Sequence, residues 1–129
     1  MTRIITATRC AFFIYSVQIF LYVKHKMTKA ILIHEKLGNI DEIDLDITPS
    51  KNEIFKLLHG RQTFIGQWPE IDVVIMKAEN ALIVNENTLP PPFDIEVVHG
   101  KILLVRMDEE SEPQDFTLDE YSRYKRLPV

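Results

Sequence analysis

The chain predicts an α+β fold: a mainly antiparallel sheet of about five to seven strands, one helix over residues 49–59 and a short C-terminal helix over 117–124, preceded by an apolar N-terminal helical segment. Three observations carry this reading. Apolar and polar residues alternate with period two over 43–47 and 93–98, and apolar residues dominate 71–77. Helix-start chemistry stands at Thr48-Pro49 and again at Thr117 with Glu120. Glycines, asparagines and prolines fall between the apolar runs, where turns need them. A length of 129 residues supports one domain.

Residues 29–34, KAILIH, read as the first strand, with Lys36-Leu37-Gly38-Asn39 as the turn after it. Ile43, Leu45 and Ile47 then alternate with Glu42, Asp44 and Asp46, a half-buried strand with an acidic outer face. Thr48 suits an N-cap, and Pro49 suits the first helical position, where its missing N–H costs nothing. Ser50 with Glu53 offers an overlapping capping box; Ile54, Phe55, Leu57 and Leu58 give the apolar face, and Gly60 the stop. Thr63-Phe64-Ile65 reads as a short strand. Gly66-Gln67-Trp68-Pro69 must turn, and proline holds the residue before it extended.

Residues 71–77, IDVVIMK, form a central strand, joined through Glu79-Asn80 to a strand at 81–84 as a hairpin. Asn85-Glu86-Asn87 turns, and Pro90-Pro91-Pro92 stiffens the following loop as polyproline II. Residues 93–98 and 101–106 make a second hairpin about His99-Gly100. Asp108 to Pro113 is a charged loop. Thr117 with Glu120 forms a capping box on the last helix, and Phe116 with Tyr121 a hydrophobic staple.

Residues 1–26 stand apart from the domain at 27–129. They carry Arg3, Arg9, Lys24 and Lys26 and no acid, a charge of +4, whereas the 11 basic and 19 acidic side chains that follow sum to −8. Residues 10–23, CAFFIYSVQIFLYV, are interrupted only by Ser16 and Gln18. As a helix this run spans about 21 Å, short of a hydrocarbon core of about 30 Å. Extension back to Ile4 takes in Arg9, which would have to snorkel. Basic residues on both sides leave an orientation unset, and no small-residue cleavage site follows. Three readings stay open: a membrane anchor through residues 4–23, an apolar arm that docks onto partner subunits, or an over-extended reading frame whose true start is Met27. The membrane or docking candidates are Phe12, Phe13, Ile14, Tyr15, Ile19, Phe20, Leu21 and Tyr22.

An acidic body repels a phosphate backbone, so general nucleic-acid binding is disfavoured, with Arg123, Lys125 and Arg126 the only candidates for a local basic patch. The single cysteine, Cys10, excludes an intrachain disulfide framework and fits a reducing compartment. His25, His34, His59 and His99 show no metal-ligand spacing; a site assembled in space from His34, His59 and a carboxylate stays open. Gly38, Gly60, Gly66 and Gly100 are scattered at turns, so there is no Gly-rich phosphate loop. No serine or cysteine stands in a nucleophile context, and Asp44, Asp46, Asp72 and Glu96 read as the wet side of a sheet. No catalytic, cofactor-binding or metal residue is assigned. The interaction candidates are Trp68 and Pro69 on the Gly-Gln-Trp-Pro turn and Pro90, Pro91, Pro92 and Phe93 on the proline loop. Trp68 is open to two readings, an exposed anchor for a partner or a ring folded into the core.

Four stretches resemble a known pattern: LLHG at 57–60, DVVIM at 72–76, LIVNENTLPPPF at 82–93 and DFTLDEY at 115–121. Together they look like a small domain of unknown function found in bacteriophages and in large DNA viruses of algae. TFIGQWPEIDVVIM at 63–76 is similar to uncharacterised proteins of the algal viruses. The resemblance spans roughly residues 29–121, and His59 stands where that family often has glycine. It implies a small α+β module in a viral setting and carries over no catalytic residue. The expectation is a non-enzymatic interaction or structural module, virion-associated or a minor capsid component. Its partners would be other viral proteins or a host protein, and it would reside in the virion or the infected-host cytoplasm. The alternative is a small viral enzyme or a nucleotide- or metabolite-binding protein acting on a host ligand.

Overall fold

The first two strands, β1 (Met27–Ile33) and β2 (Ile40–Asp46), pair antiparallel along their whole length. The structure is a computed structural model that describes residues 27–126. The apolar run at 10–23, and every reading placed on it, lies outside the described residues. A second hairpin joins β3 (Gln62–Trp68) to β4 (Val73–Ala78), with a bulge between Phe64 and Gly66. β5 (Ile102–Met107) enters between the two hairpins and pairs antiparallel with β1 and β4, giving the order β2-β1-β5-β4-β3. The two-residue β6 (Pro113–Gln114) pairs with the end of β5. Beside it, Lys29 N donates to Asp115 Oδ1 (2.9 Å) and Phe116 N donates to Lys29 O (2.9 Å). Among the described residues, the six-stranded sheet and two helices make the α+β, mainly antiparallel architecture expected.

Period two divides the side chains between two faces. One face carries Ile31, Ile33, Ile75 and Leu104, the other Leu32, Met76, Leu103 and Val105. Each fully buried aliphatic side chain contributes about 1.5–3 kcal/mol, so both faces must be covered. The short α1 (Glu53–Leu58) covers the second face with Ile54, Leu57 and Leu58. The first face is covered by α2 (Leu118–Lys125), through Tyr121, and by the connection at 79–101, through Leu89 and Val98. At the α2 N-terminus the Thr117–Glu120 capping box is complete, Glu42 Oε1 accepts from Leu118 N (2.9 Å), and the Phe116 and Tyr121 rings meet edge-on at 6.2 Å.

Five local expectations are corrected. The helix expected over 49–59 is broken into a 3-10 turn, Pro49–Lys51, and α1, because Asn52 adopts a left-handed conformation (φ 55°) that asparagine tolerates. Glu53 does not close a capping box with Ser50; its Oε1 instead accepts from Asp46 N (2.9 Å). His59 (φ 60°), and not Gly60, takes the left-handed position at the helix end. The expected hairpins at 71–84 and 93–106 do not form, because β5 occupies the hydrogen-bonding edge of β4 and leaves 81–84 no strand to join. The prolines are not a polyproline rod. The Pro91–Pro92 peptide is cis, and Phe93 N donates to Pro90 O (3.2 Å), an internal bond that polyproline II lacks.

Candidate interaction surface

The sequence singled out Trp68 and Pro69 with Pro90, Pro91, Pro92 and Phe93, and the structure brings most of these together, but inside the fold. Trp68 ends β3 and is 1% exposed. Its ring meets Phe93 edge-on at 6.1 Å and lies 5.4 Å from the Tyr124 ring, and its Nε1–H donates to Pro91 O (3.0 Å). Trp68 is therefore core and not an exposed anchor: a large indole on the inner face of an edge strand is stabilised by burial, and the proline loop supplies the acceptor that its N–H needs. Phe93 reaches this position because Gly66 has no side chain; a methyl there would lie 2.5 Å from Phe93 Cζ. Pro90 is buried beside Leu89, whereas Pro69, Pro91 and Pro92 are exposed.

The connection at 79–101 is clamped along its length. Its two legs meet at an antiparallel bridge between Val84 and His99, flanked by Asn85 N to Val98 O (2.8 Å) and Gly100 N to Ile83 O (2.6 Å). The Asn85 amide is buried; its Nδ2 donates to Gly100 O (2.8 Å) and Ile33 O (3.3 Å). Asn87 Nδ2 donates to His34 O (2.9 Å) and Lys36 O (3.0 Å), while Asn87 Oδ1 accepts from Gly38 N (2.9 Å). Glu86 Oε1 accepts from Leu37 N (3.0 Å). The Asn85-Glu86-Asn87 triplet thus ties the connection to the β1–β2 turn by replacing backbone partners with side-chain ones.

With its inner side fixed, the outer side of the connection presents apolar side chains to solvent. Leu82 is 88% exposed and Ile95 86%, and Ile83, Val84 and Val97 are also exposed. Five large aliphatic side chains on one clamped segment are unlike the scattered single residues of an ordinary surface. Sequence reasoning missed them because the same residues read as two core strands. Their contiguity in 82–84 and 95–97 was visible, but their exposure was not.

Leu82 and Ile83 also line a cleft of about 420 Å³ at the end of the sheet, with Glu35, His59, Arg61 and Lys101. Lys101 Nζ lies 2.8 Å from Glu35 Oε1, and this bond holds the Glu35 carboxyl below the usual carboxylate range. At the opposite end, burial and then the hydrogen bond to Glu70 (2.7 Å) push the Tyr124 hydroxyl up to about 12. Burial opposes ionisation of Glu120, but its bonds to Thr117 N and Arg106 outweigh it and leave the carboxyl lowered.

Among the described residues no three His, Cys, Asp or Glu side chains are grouped to hold a metal ion, and His34 is bonded to Asp41 (2.9 Å) instead of joining His59. No helix among the described residues is long and apolar enough to cross a membrane. Arg123 pairs with Asp119 (3.0 Å) and Lys125 lies over the Tyr121 ring, so two of the three C-terminal basic residues have partners within α2.

Comparison with known proteins gives one family model over residues 31–124, described as a family of unknown function (DUF5880). No curated protein and no solved structure matches the chain.

Proposed function

The chain belongs to the DUF5880 family, a family of unknown function, and from that premise we propose that it is a non-enzymatic interaction module that docks a second protein on the outer side of residues 79–101. One observation carries the reading: Leu82, Ile83, Val84, Ile95 and Val97 stand exposed on a segment whose backbone is fixed by the Asn85-Glu86-Asn87 clamp. A preorganised apolar ridge loses little conformational entropy on binding, which is what a partner with an apolar patch would exploit. The acidic body disfavours a nucleic-acid partner. The viral setting implied by the resemblance belongs to this proposal: a virion or minor capsid component, or a protein of the infected-host cytoplasm, bound to viral proteins or to a host protein.

The test compares the wild-type chain with a Leu82→Asp, Ile95→Asp variant as baits in the native setting. Because both side chains are exposed, the variant should melt within about 0.5 kcal/mol of the wild type. It should also lose the partner that the wild type retains. A partner kept by the variant refutes the surface.

A second reading rests on the cleft. Lys101, Arg61 and His59 beside Glu35 suit a small anionic nucleotide or metabolite, the role of an enzyme or ligand-binding protein acting on a host compound. A thermal shift with nucleotides that disappears in Lys101→Met favours it, and no shift with any of them counts against it.

A further inference from the structure

Two features meet at the β3 corner of the sheet. The first is a groove of about 580 Å³ on the α1 side, which runs past Phe64, Val74, Met76 and Met107. It stays open because α1 has only six residues, and it leaves Phe64 63% exposed. Asp72, Asp108 and Glu109 line the same groove, and among the described residues no basic side chain does. The bulge sets Phe64 opposite Met76 and Gln67 opposite Val74, so both line the groove although three residues apart. The second feature is the outer edge of β3. Among the described residues β3 pairs only with β4, so one row of its backbone N–H and C=O groups has no partner strand. Edge strands are ordinarily guarded by charge or proline, and β2 at the other end of the sheet carries Asp41, Glu42 and Asp44. β3, QTFIGQW, has neither guard. We propose that the groove and the β3 edge together bind an extended segment of a partner protein, which adds to β3 as a further strand and turns an apolar and a basic side chain, two positions apart, to the α1 side.

Backbone pairing, apolar contact and charge each select this occupant. Main-chain bonds to the open edge of β3 supply attraction whatever the segment's sequence. A side chain opposite Phe64 on an added strand lies about 5 Å from it, and Met76 and Met107, unbranched and adaptable, suit a variety of apolar shapes. Two positions on, an arginine shares that side of the strand, lays its stem beside Gln67 and directs its charge towards Asp72. Asp108 is committed to its own loop, where Oδ1 accepts from Glu110 N and Glu112 N (2.9 Å each) and Oδ2 from Gln114 Nε2 (3.0 Å). Asp72 and Glu109 are exposed, and among the described residues their carboxylates have no partner, so they are free to meet a cation. A second copy of the chain does not answer this charge: its β3 has no basic residue and its groove carries the same three acids. The groove lies on the opposite face of the sheet from the connection at 79–101, so this surface is independent of the ridge there.

The test titrates the isotope-labelled full-length chain with a capped threonine heptapeptide that carries leucine and arginine two positions apart. The amides of Phe64, Ile65, Gly66 and Gln67 should shift saturably and exchange more slowly with solvent, and the Met76 and Met107 methyls should move with them. Phe64→Glu should weaken binding about tenfold, as loss of an aromatic contact at the centre of an interface does. Asp72→Asn should weaken it up to about fivefold, a difference that shrinks as salt is added. Both side chains are exposed, and asparagine tolerates the left-handed backbone of Asp72 (φ 56°), so both variants keep the fold. A heptapeptide with glutamate in place of arginine should bind more weakly than the arginine peptide. Four results overturn the proposal: no shift on β3, shifts confined to residues 82–97 or to the cleft beside Lys101, equal binding of the glutamate peptide, or β3 amides that shift with protein concentration alone, the mark of a second copy.

Discussion

Replacement of Trp68 by alanine distinguishes a core tryptophan from an exposed one. The ring is 1% exposed and packs against Phe93, Tyr121 and Tyr124, with centroids 6.1, 6.4 and 5.4 Å away. Loss of a buried aromatic to alanine costs about 3–5 kcal/mol. The bond from Nε1 to Pro91 O accounts for about 1 kcal/mol of that at most, because Pro91 is exposed and water can replace the donor. Against a total stability of about 5–15 kcal/mol this is a large fraction, and a domain of about 100 residues should melt at least 12 °C lower at about 4–8 °C per kcal/mol. Urea denaturation followed by far-ultraviolet circular dichroism measures the loss, since the variant has no tryptophan left to report it. In the wild type the same indole provides a check: its native emission should be blue-shifted and resist acrylamide quenching until the protein unfolds. A loss below about 1 kcal/mol, or native quenching as strong as in urea, would refute the placement of Trp68 in the core.

Asn85→Ala removes the donors to Ile33 O and Gly100 O from a buried site and should destabilise by about 1–3 kcal/mol; hydrogen exchange should rise first at the β1–β2 turn, which the clamp holds. Glu35→Gln should cost about 1 kcal/mol at neutral pH, between the limits for exposed and buried pairs. The folded carboxyl is held below its unfolded value of about 4.3, so the wild-type advantage is full above that pH and is lost as the pH falls through the lower folded value. Melting curves of both proteins from pH 7 downwards check this, and an advantage that grows on acidification would contradict it.

Local chemistry was legible wherever a few neighbouring residues decide the outcome. The β1–β2 hairpin, the exposure of Glu42 and Asp44, the Thr117–Glu120 capping box and the Phe116–Tyr121 staple all depend on side chains within a few positions of one another; Asp46, expected on the same acidic outer face, is instead buried, with its Oδ1 accepting from Thr48 N (2.9 Å). The break of the first helix was less legible. Asn52 can take either conformation, and in the fold its left-handed one goes with a bond from Asp46 N to Glu53 Oε1 that ties the start of α1 to the strand.

By itself the sequence determined the α+β class, most strand positions and the second helix, because period, caps and turns are local properties. Only the tertiary structure decided which apolar runs are strands and which are surface. Residues 82–84 and 95–97 carry strand-like residues, yet β5 holds the slot between β1 and β4, and a strand has only two hydrogen-bonding edges. Once β5 fills that slot, the intervening chain must pass over the sheet face. Leu89 and Val98 are buried there, and Leu82 and Ile95 are left in water. The same passage carries Pro91 and Phe93 to Trp68 and decides for the core between the two readings that the sequence left open. Competition for pairing between residues far apart in the chain is invisible to any reading of neighbours, and it set the candidate surface of this protein.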